Sequence, residues 1–265
     1  TLGDWRKWQP TEEYQNHNLF DDYGCVSHSG ENIAEISFGW LFESNLVRQE
    51  DIDWFKANGY FDANGKINFD DRALVTLSGT TPGRGNAMNV VWDTARIIGL
   101  WPQNTAPFYE AMPQSEYYDT SYFSNFLKQN GKYTKEQLIE MTKGWNKAGY
   151  EIGQEFLKRF SIQYERVTPS VSNLRRALKH CPIHIGIPIC DGYGNDRVVN
   201  SCGLQAAHAV VLTHIDATGV YWIYDSYNPS LKKLSKTYSI DFAYKGVISP
   251  VTNVGGKKKE IYYFE

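Results

Sequence analysis

Cysteine is scarce in this chain, and what there is suits no metal. The four cysteines, Cys25, Cys181, Cys190 and Cys202, form no CxxC pair and share no zinc-ligand spacing with the six histidines, so no structural metal and no cofactor are expected. Charge of one sign is lacking too. With 27 basic against 30 acidic residues the net charge is -3, which gives no electrostatic case for a nucleic-acid partner. The short run Lys257-Lys258-Lys259 reads as a solvated turn before a last strand. No stretch of about 18 apolar residues occurs, so no membrane span is expected. Nor is there a charged-then-apolar leader, and the chain reads as soluble. Repeats and low-complexity tracts are absent as well.

What is present is a core. The chain has 265 residues, 42% of them hydrophobic and 15% aromatic, enough to fold without staples. Cys181, Cys190 and Cys202 lie in apolar or Gly-flanked settings and read as small buried side chains. A disulfide from Cys190 to Cys202 is compatible with the sequence but not implied by it.

Residues 1–24 are polar and aromatic without sustained periodicity and are expected to wrap the domain. From Cys25 to about Ser44 the pattern is helical, with Ile33, Ile36 and Trp40 three and four apart. Asn64-Gly65, between short apolar runs, predicts a tight hairpin. A calcium loop fits less well, because Tyr60 stands where its first carboxylate belongs and Asp71 where a Glu is usual. Ser78 to Asn86 is a glycine-rich loop. It lacks the Lys-Ser/Thr ending of a phosphate cradle, and it leads into a helix with Met88, Val91, Ala95 and Ile98 on one face, ended by Gly99.

A single long helix is predicted over 134–161, with Thr134 and Gln137 as a capping box. A shorter one is predicted over 172–179. Strands are then predicted over 183–189, 208–214, 220–224 and 260–264. Helices before strands imply an α+β fold of two lobes: a helical lobe over 1–165 and a β-rich lobe over 166–265.

The chemistry concentrates on Cys25 and His208. A thiol at a helix start, a histidine opening a strand and Asp225 ending the next strand can supply a nucleophile, a base and an orienting group. A helix N-terminus and an imidazolium both favour a thiolate. Either residue alone reads first as core packing; the combination, with Asp225, points to a site. His28, nearly one helical turn after Cys25, reads as a packing or cleft-lining residue, since a base on the same helix would not bracket a substrate.

In this order the residues resemble a papain-like cysteine peptidase of a divergent bacterial or bacteriophage type. Cys25 opens a long helix, His208-Ala209-Val210 opens a strand, and Tyr221-Trp222-Ile223 leads into Asp225-Ser226-Tyr227, where the family has Asn-Ser-Trp. The resemblance implies a two-lobe papain-like fold with a cleft between the lobes, and a Cys25, His208, Asp225 triad. It also implies that the loop carrying Gly79, Gly83 and Gly85 borders the substrate backbone. Around the nucleophile the family's Cys-Gly-Ser-Cys-Trp is altered, with Tyr23 for the first Cys and Val26 for the Trp.

The family's oxyanion Gln stands six residues before the nucleophile, where this chain has Leu19. Gln15, or alternatively Asn18, is the nearest amide for that role beside the Cys25 N–H. Three functional readings follow: a thiol hydrolase acting on a peptide or protein substrate, an amide hydrolase acting on cell-wall cross-links, or an interaction component of a larger assembly such as a phage particle, which would place the chain in a virion.

Overall fold

The computed structural model describes residues 3–17, 19–109, 111–119, 133–193, 198–254 and 257–260. It is a mixed helix and sheet fold around one antiparallel sheet, as the α+β reading expects.

Helix α1 spans Cys25–Glu43. Its start is set by the two residues that precede the loop's turn. Asp21 Oδ1 accepts from Tyr23 N–H at 2.7 Å, Asp22 Oδ1 accepts from Gly24 N–H at 2.7 Å, and Tyr23 takes a left-handed φ of 53°. Gly24 is required by close approach: a Cβ there would lie 2.5 Å from Val75 Cγ2. Ile33 and Ile36 are fully buried, as expected, but the helix is buried nearly all round, Glu31 and Glu35 included.

Helices α2 (Gln49–Ala57), α3 (Asp71–Leu77), α4 (Met88–Ile98) and α5 (Gln114–Tyr117) follow. Between α2 and α3 the predicted hairpin is present. Phe61 pairs with Ile67, and Asp62 Oδ1 accepts from Asn64 N–H and Lys66 N–H at 2.8 and 2.9 Å. α4 buries the four residues named for its inner face and ends at Gly99, φ 77°.

The long helix predicted over 134–161 is two helices, α6 (Lys135–Trp145) and α7 (Lys147–Arg159). The capping box of Thr134 and Gln137 is present. The break is at Asn146, whose side-chain carbonyl caps α7 through Gly149 N–H at 2.9 Å while its amide donates to Thr105 O at 2.7 Å. A side chain able to satisfy the backbone itself has ended one helix and begun another. Gly149 and Gly153 then let Trp101 approach within a distance no Cβ would allow.

Helix α8 (Val171–Leu178) lies one residue from its predicted start, capped by Ser170. The strands are β1 (Phe160–Arg166), β2 (Ile183–Ile187), β3 (His208–Ile215), β4 (Tyr221–Tyr224), β5 (Leu231–Leu234), β6 (Phe242–Val254) and β7 (Lys257–Glu260). Their order across the sheet is β1-β6-β2-β3-β4-β5, with β7 paired to β6. Strands β1, β5 and β6 were not anticipated. Lys257, Lys258 and Lys259, expected in a turn, lie in β7 instead, where backbone pairing with Val254, Asn253 and Thr252 makes them strand. The strand predicted over 260–264 lies, beyond Glu260, outside the described residues.

α1 packs against β3 and β6, with α3 and α4 alongside. Phe38 of α1 meets Phe160 of β1 edge-on at 4.9 Å, so helices and sheet share one continuous core. The N-terminal segment wraps the domain as expected: Trp5 N–H donates to Thr213 O on β3, and Gln15 N–H donates to Ser226 O just past β4. The start of β3 and the end of β4 lie at one end of the sheet, which is where α1 begins.

Cys190 and Cys202 are joined by a disulfide with Cα atoms 5.6 Å apart, not buried as separate thiols. The bridge draws together two parts of the loop between β2 and β3. Cys181 is free and buried, and burial pushes its thiol up to about 12. Among the described residues no helix is long and apolar enough to cross a membrane.

Candidate active site

Cys25, His208 and Asp225 meet where the first turn of α1 reaches the end of the sheet. His208 Nε2 faces Asp225 Oδ1 at 2.7 Å, and the Cys25 side chain lies close enough to the ring to act on it electrostatically. With Nε2 committed, Nδ1 is the nitrogen left for the thiol. Burial alone would lower the His208 pKa, but the Asp225 carboxylate and the Cys25 sulfur raise it to about 10, so the ring is an imidazolium at neutral pH. Burial alone would raise Asp225; His208 and then Lys232 hold it at about 2.

Every acceptor position of Asp225 is used. Oδ1 takes His208 and Tyr227 N–H at 3.1 Å; Oδ2 takes Tyr193 Oη at 2.5 Å and Lys232 Nζ at 2.8 Å. The Tyr227 ring lies 5.0 Å from the His208 ring, and the Tyr193 ring stands perpendicular to it at 5.9 Å. Tyr193, Tyr227 and Lys232 were not singled out from the sequence. One signal for Lys232 was present: alternation in Leu231-Lys232-Lys233-Leu234 puts Lys232 on the same face as Leu234, and that face is buried.

Gln15 is buried at the site's edge. Its side-chain carbonyl accepts from Ser226 Oγ at 2.6 Å, and its amide nitrogen donates to Asp21 Oδ1 and Tyr227 Oη, both at 3.0 Å. Both amide protons are therefore taken. The Cys25 N–H, at the open end of α1, has no acceptor among the described residues. Asn18 lies outside the described residues, and Leu19 is 63% exposed.

A cavity of about 430 Å³ opens beside Cys25 and His208. Gly85 is on its wall, with Val26, Met88, Ala209, Phe242 and Tyr244 making the lining largely apolar. Gly79 and Gly83 do not line it; they shape the loop, with φ of 86° and 74°. Asn86 anchors that loop to Ser78 O at 2.7 Å.

His28 is buried away from the thiol chemistry, between Asp22 Oδ2 at 2.9 Å and Asp71 Oδ1 at 3.0 Å. Burial opposes its charge, but Asp71 and Asp22 raise its pKa well above the ordinary value. His184 is the reverse case: burial lowers it to about 3, and Ser29 and Trp92 partner the neutral ring. A second groove, about 940 Å³ between the N-terminal segment and the sheet, holds none of the candidate residues. Among the described residues no group of three His, Cys, Asp or Glu side chains is arranged to hold a metal ion. In comparison with known proteins, no family model and no curated protein matches the chain.

Proposed function

We propose that the chain is a papain-like thiol hydrolase cleaving peptide bonds, with helical and β-rich parts flanking the cleft. The observation that carries this reading is the alignment of Cys25, His208 and Asp225 at the mouth of a cavity. The Cys25 sulfur attacks the substrate carbonyl carbon, and the displaced amine leaves with the His208 Nδ1 proton. His208 then takes a proton from water, which attacks the resulting thioester, and the acid leaves as the thiol is restored. Asp225 holds the ring throughout. The Cys25 N–H is one donor to the carbonyl oxygen as it gains charge. The apolar cavity suits an apolar substrate side chain beside the scissile bond.

The test is labelling by an epoxysuccinyl or iodoacetamide probe, with Cys25→Ala as control. Selective labelling at Cys25, lost in the variant together with peptide cleavage, is the expected result. Absence of labelling at Cys25 in folded protein would overturn the reading.

A second reading, an interaction component with weak or no activity, is favoured by one observation: both Gln15 amide protons are spent on Asp21 and Tyr227. Recovery of the protein in stoichiometric copies within an assembly, with Cys25→Ala fully functional there, would favour it over catalysis.

A further inference from the structure

The Lys232 ammonium is buried, with 1% of the side chain exposed, and its nearest anion is the orienting carboxylate itself. Nζ donates to Asp225 Oδ2 at 2.8 Å and to Tyr227 O, the second residue past Asp225, and it lies 5.1 Å from the Tyr193 ring centroid. A buried lysine costs much unless it is paired. Here it is paired with the one group that also carries the histidine.

We propose that Lys232 is a positioning residue of the Cys25, His208 and Asp225 site, neutralising Asp225 and fixing the carboxylate face that His208 meets. The inference rests on the thiol-hydrolase reading for its consequence, but not for its test. Asp225 stands between two cationic groups, the His208 ring on Oδ1 and the Lys232 ammonium on Oδ2, so neither oxygen of the buried carboxylate is left uncompensated. An uncharged amide orienter would need no such ammonium; a carboxylate orienter in a buried site does. The same ammonium repels a proton on His208, so it tempers the hold of Asp225 and keeps the ring a better acid.

The groups facing His208 are Cys25 from α1, Asp225 and Tyr227 from the segment after β4, and Tyr193 from the loop between β2 and β3. Lys232 on β5 stands behind Asp225, and Asp21 behind Tyr227. Only Lys232 among them brings an ammonium, whose pKa burial lowers and Asp225 supports.

The experiment is a proton NMR titration of the His208 ring in the full chain, in wild type, Asp225→Asn, Lys232→Met and the double variant, with thermal melts alongside. Asp225→Asn should lower the His208 midpoint into the neutral range and lower the melting temperature, because it strands the lysine. Adding Lys232→Met to that background should raise the midpoint by about one unit and recover much of the melting temperature. An unmoved midpoint and an unrecovered melt in the double variant would overturn the proposal, leaving Lys232 a packing residue. If Lys232→Met does not fold, Lys232→Gln in the same background carries the same expectation. The midpoint is read without turnover. Cleavage with no change in midpoint sinks the lysine proposal alone, whereas a shifted midpoint with no labelling of Cys25 sinks the hydrolase reading alone.

Discussion

At its first residue α1 meets a buried cluster in which each charge has an opposite; further along, Glu31 and Glu35 enter another in which His28 is paired with Asp22 and Asp71 but the glutamates are neutralised by protonation instead. In the first, the Asp225 carboxylate lies between His208 and Lys232, every acceptor position on Asp225 is met, and the cluster opens on a cavity beside Cys25. In the second, His28 is the cation between Asp22 and Asp71, and Glu13, Glu31 and Glu35 gather around Asp71. Burial raises Glu31 and Glu35 well above the carboxylate range, and Asp71 adds to both shifts. Asp71 itself is held low by His28 against burial. Among the described residues Glu31 Oε2 has no hydrogen-bond partner, leaving the other oxygen to meet Asp71, whereas Glu35 receives Phe69 N–H at 2.9 Å. The contrast separates two ways of burying ionisable groups: compensation, which preserves reactive charge, and protonation, which removes it. Perturbed titration alone would mark both clusters as sites. Each borders a cavity, since Glu13 and Asp71 line one of about 350 Å³; the nucleophile Cys25 beside an oriented imidazole is what distinguishes the first.

The largest effect is expected from breaking compensation. Asp225→Ala leaves His208 and Lys232 facing each other across a void, and a one-sided cut of a buried pair costs about 3–5 kcal/mol. Loss of the orienting group should also cost peptide cleavage about 10⁴-fold. Urea melts and kcat/KM read the two effects separately. The wild-type pH profile follows from the same pair. Asp225, held at about 2 against an ordinary 3.8, stabilises the fold above 3.8 and loses that contribution as pH falls toward 2. His208, held at about 10 against 6.5, contributes fully below 6.5 and loses it as pH rises through 10. Stability from this pair should therefore be flat between 3.8 and 6.5 and decline on either side.

A smaller effect is expected at the cluster's edge. Asp21 holds one Gln15 amide proton and, through Tyr227 Oη, part of the hold on the other. Asp21→Ala should free that amide for the carbonyl oxygen next to the Cys25 N–H. One oxyanion donor is worth about 10²–10³ in kcat, so a rise of about tenfold would be a fraction of the available gain. The variant also loses the Asp21 bond to Tyr23 N–H, which should cost about 1 kcal/mol of stability. Unchanged or reduced kcat in a folded Asp21→Ala protein would mean Gln15 does not reach the substrate.

Much of the compensated cluster was legible and almost none of the protonated one. Cys25, His208 and Asp225 carry their signal locally, in a helix start, a strand start and a strand end. Lys232 and Tyr193 do not. Lys232 points inward because Asp225 is there to receive it, a tertiary reason that overrides the outward rule for lysine. Tyr193 reaches the site from a loop whose Cys190 and Cys202 are bridged, and their spacing left that bridge open. In the fold, α1, α4 and β3 were visible from periodicity. β1 was hidden because Phe160 follows a helical pattern without a break, and the single-helix reading of 134–161 failed at Asn146, where one side chain outweighed a periodic run. Glu31 and Glu35 looked like the polar face of α1. Their burial is decided by α3 with the stretch through Asn68 and Phe69 before it, and by the N-terminal segment carrying Glu13, which no local pattern announces.

The smallest effect should come from the protonated cluster, and its pH dependence tells it apart from the other. Glu31 is neutral in the fold and shares a hydrogen bond with Asp71, so Glu31→Gln keeps a donor to Asp71 and the volume of the side chain. At pH 5 the change in unfolding free energy should be below about 0.5 kcal/mol. Above the ordinary value of 4.5 the unfolded chain loses the Glu31 proton and the folded one keeps it, so wild-type stability falls as pH rises. The amide removes that slope. By pH 8 the variant should be the more stable protein, with unchanged labelling at Cys25. Paired urea melts at the two pH values test this, and a variant that loses stability more steeply with pH than wild type would mean that Glu31 is ionised in the fold, so that both clusters compensate their charge and the distinction between them falls.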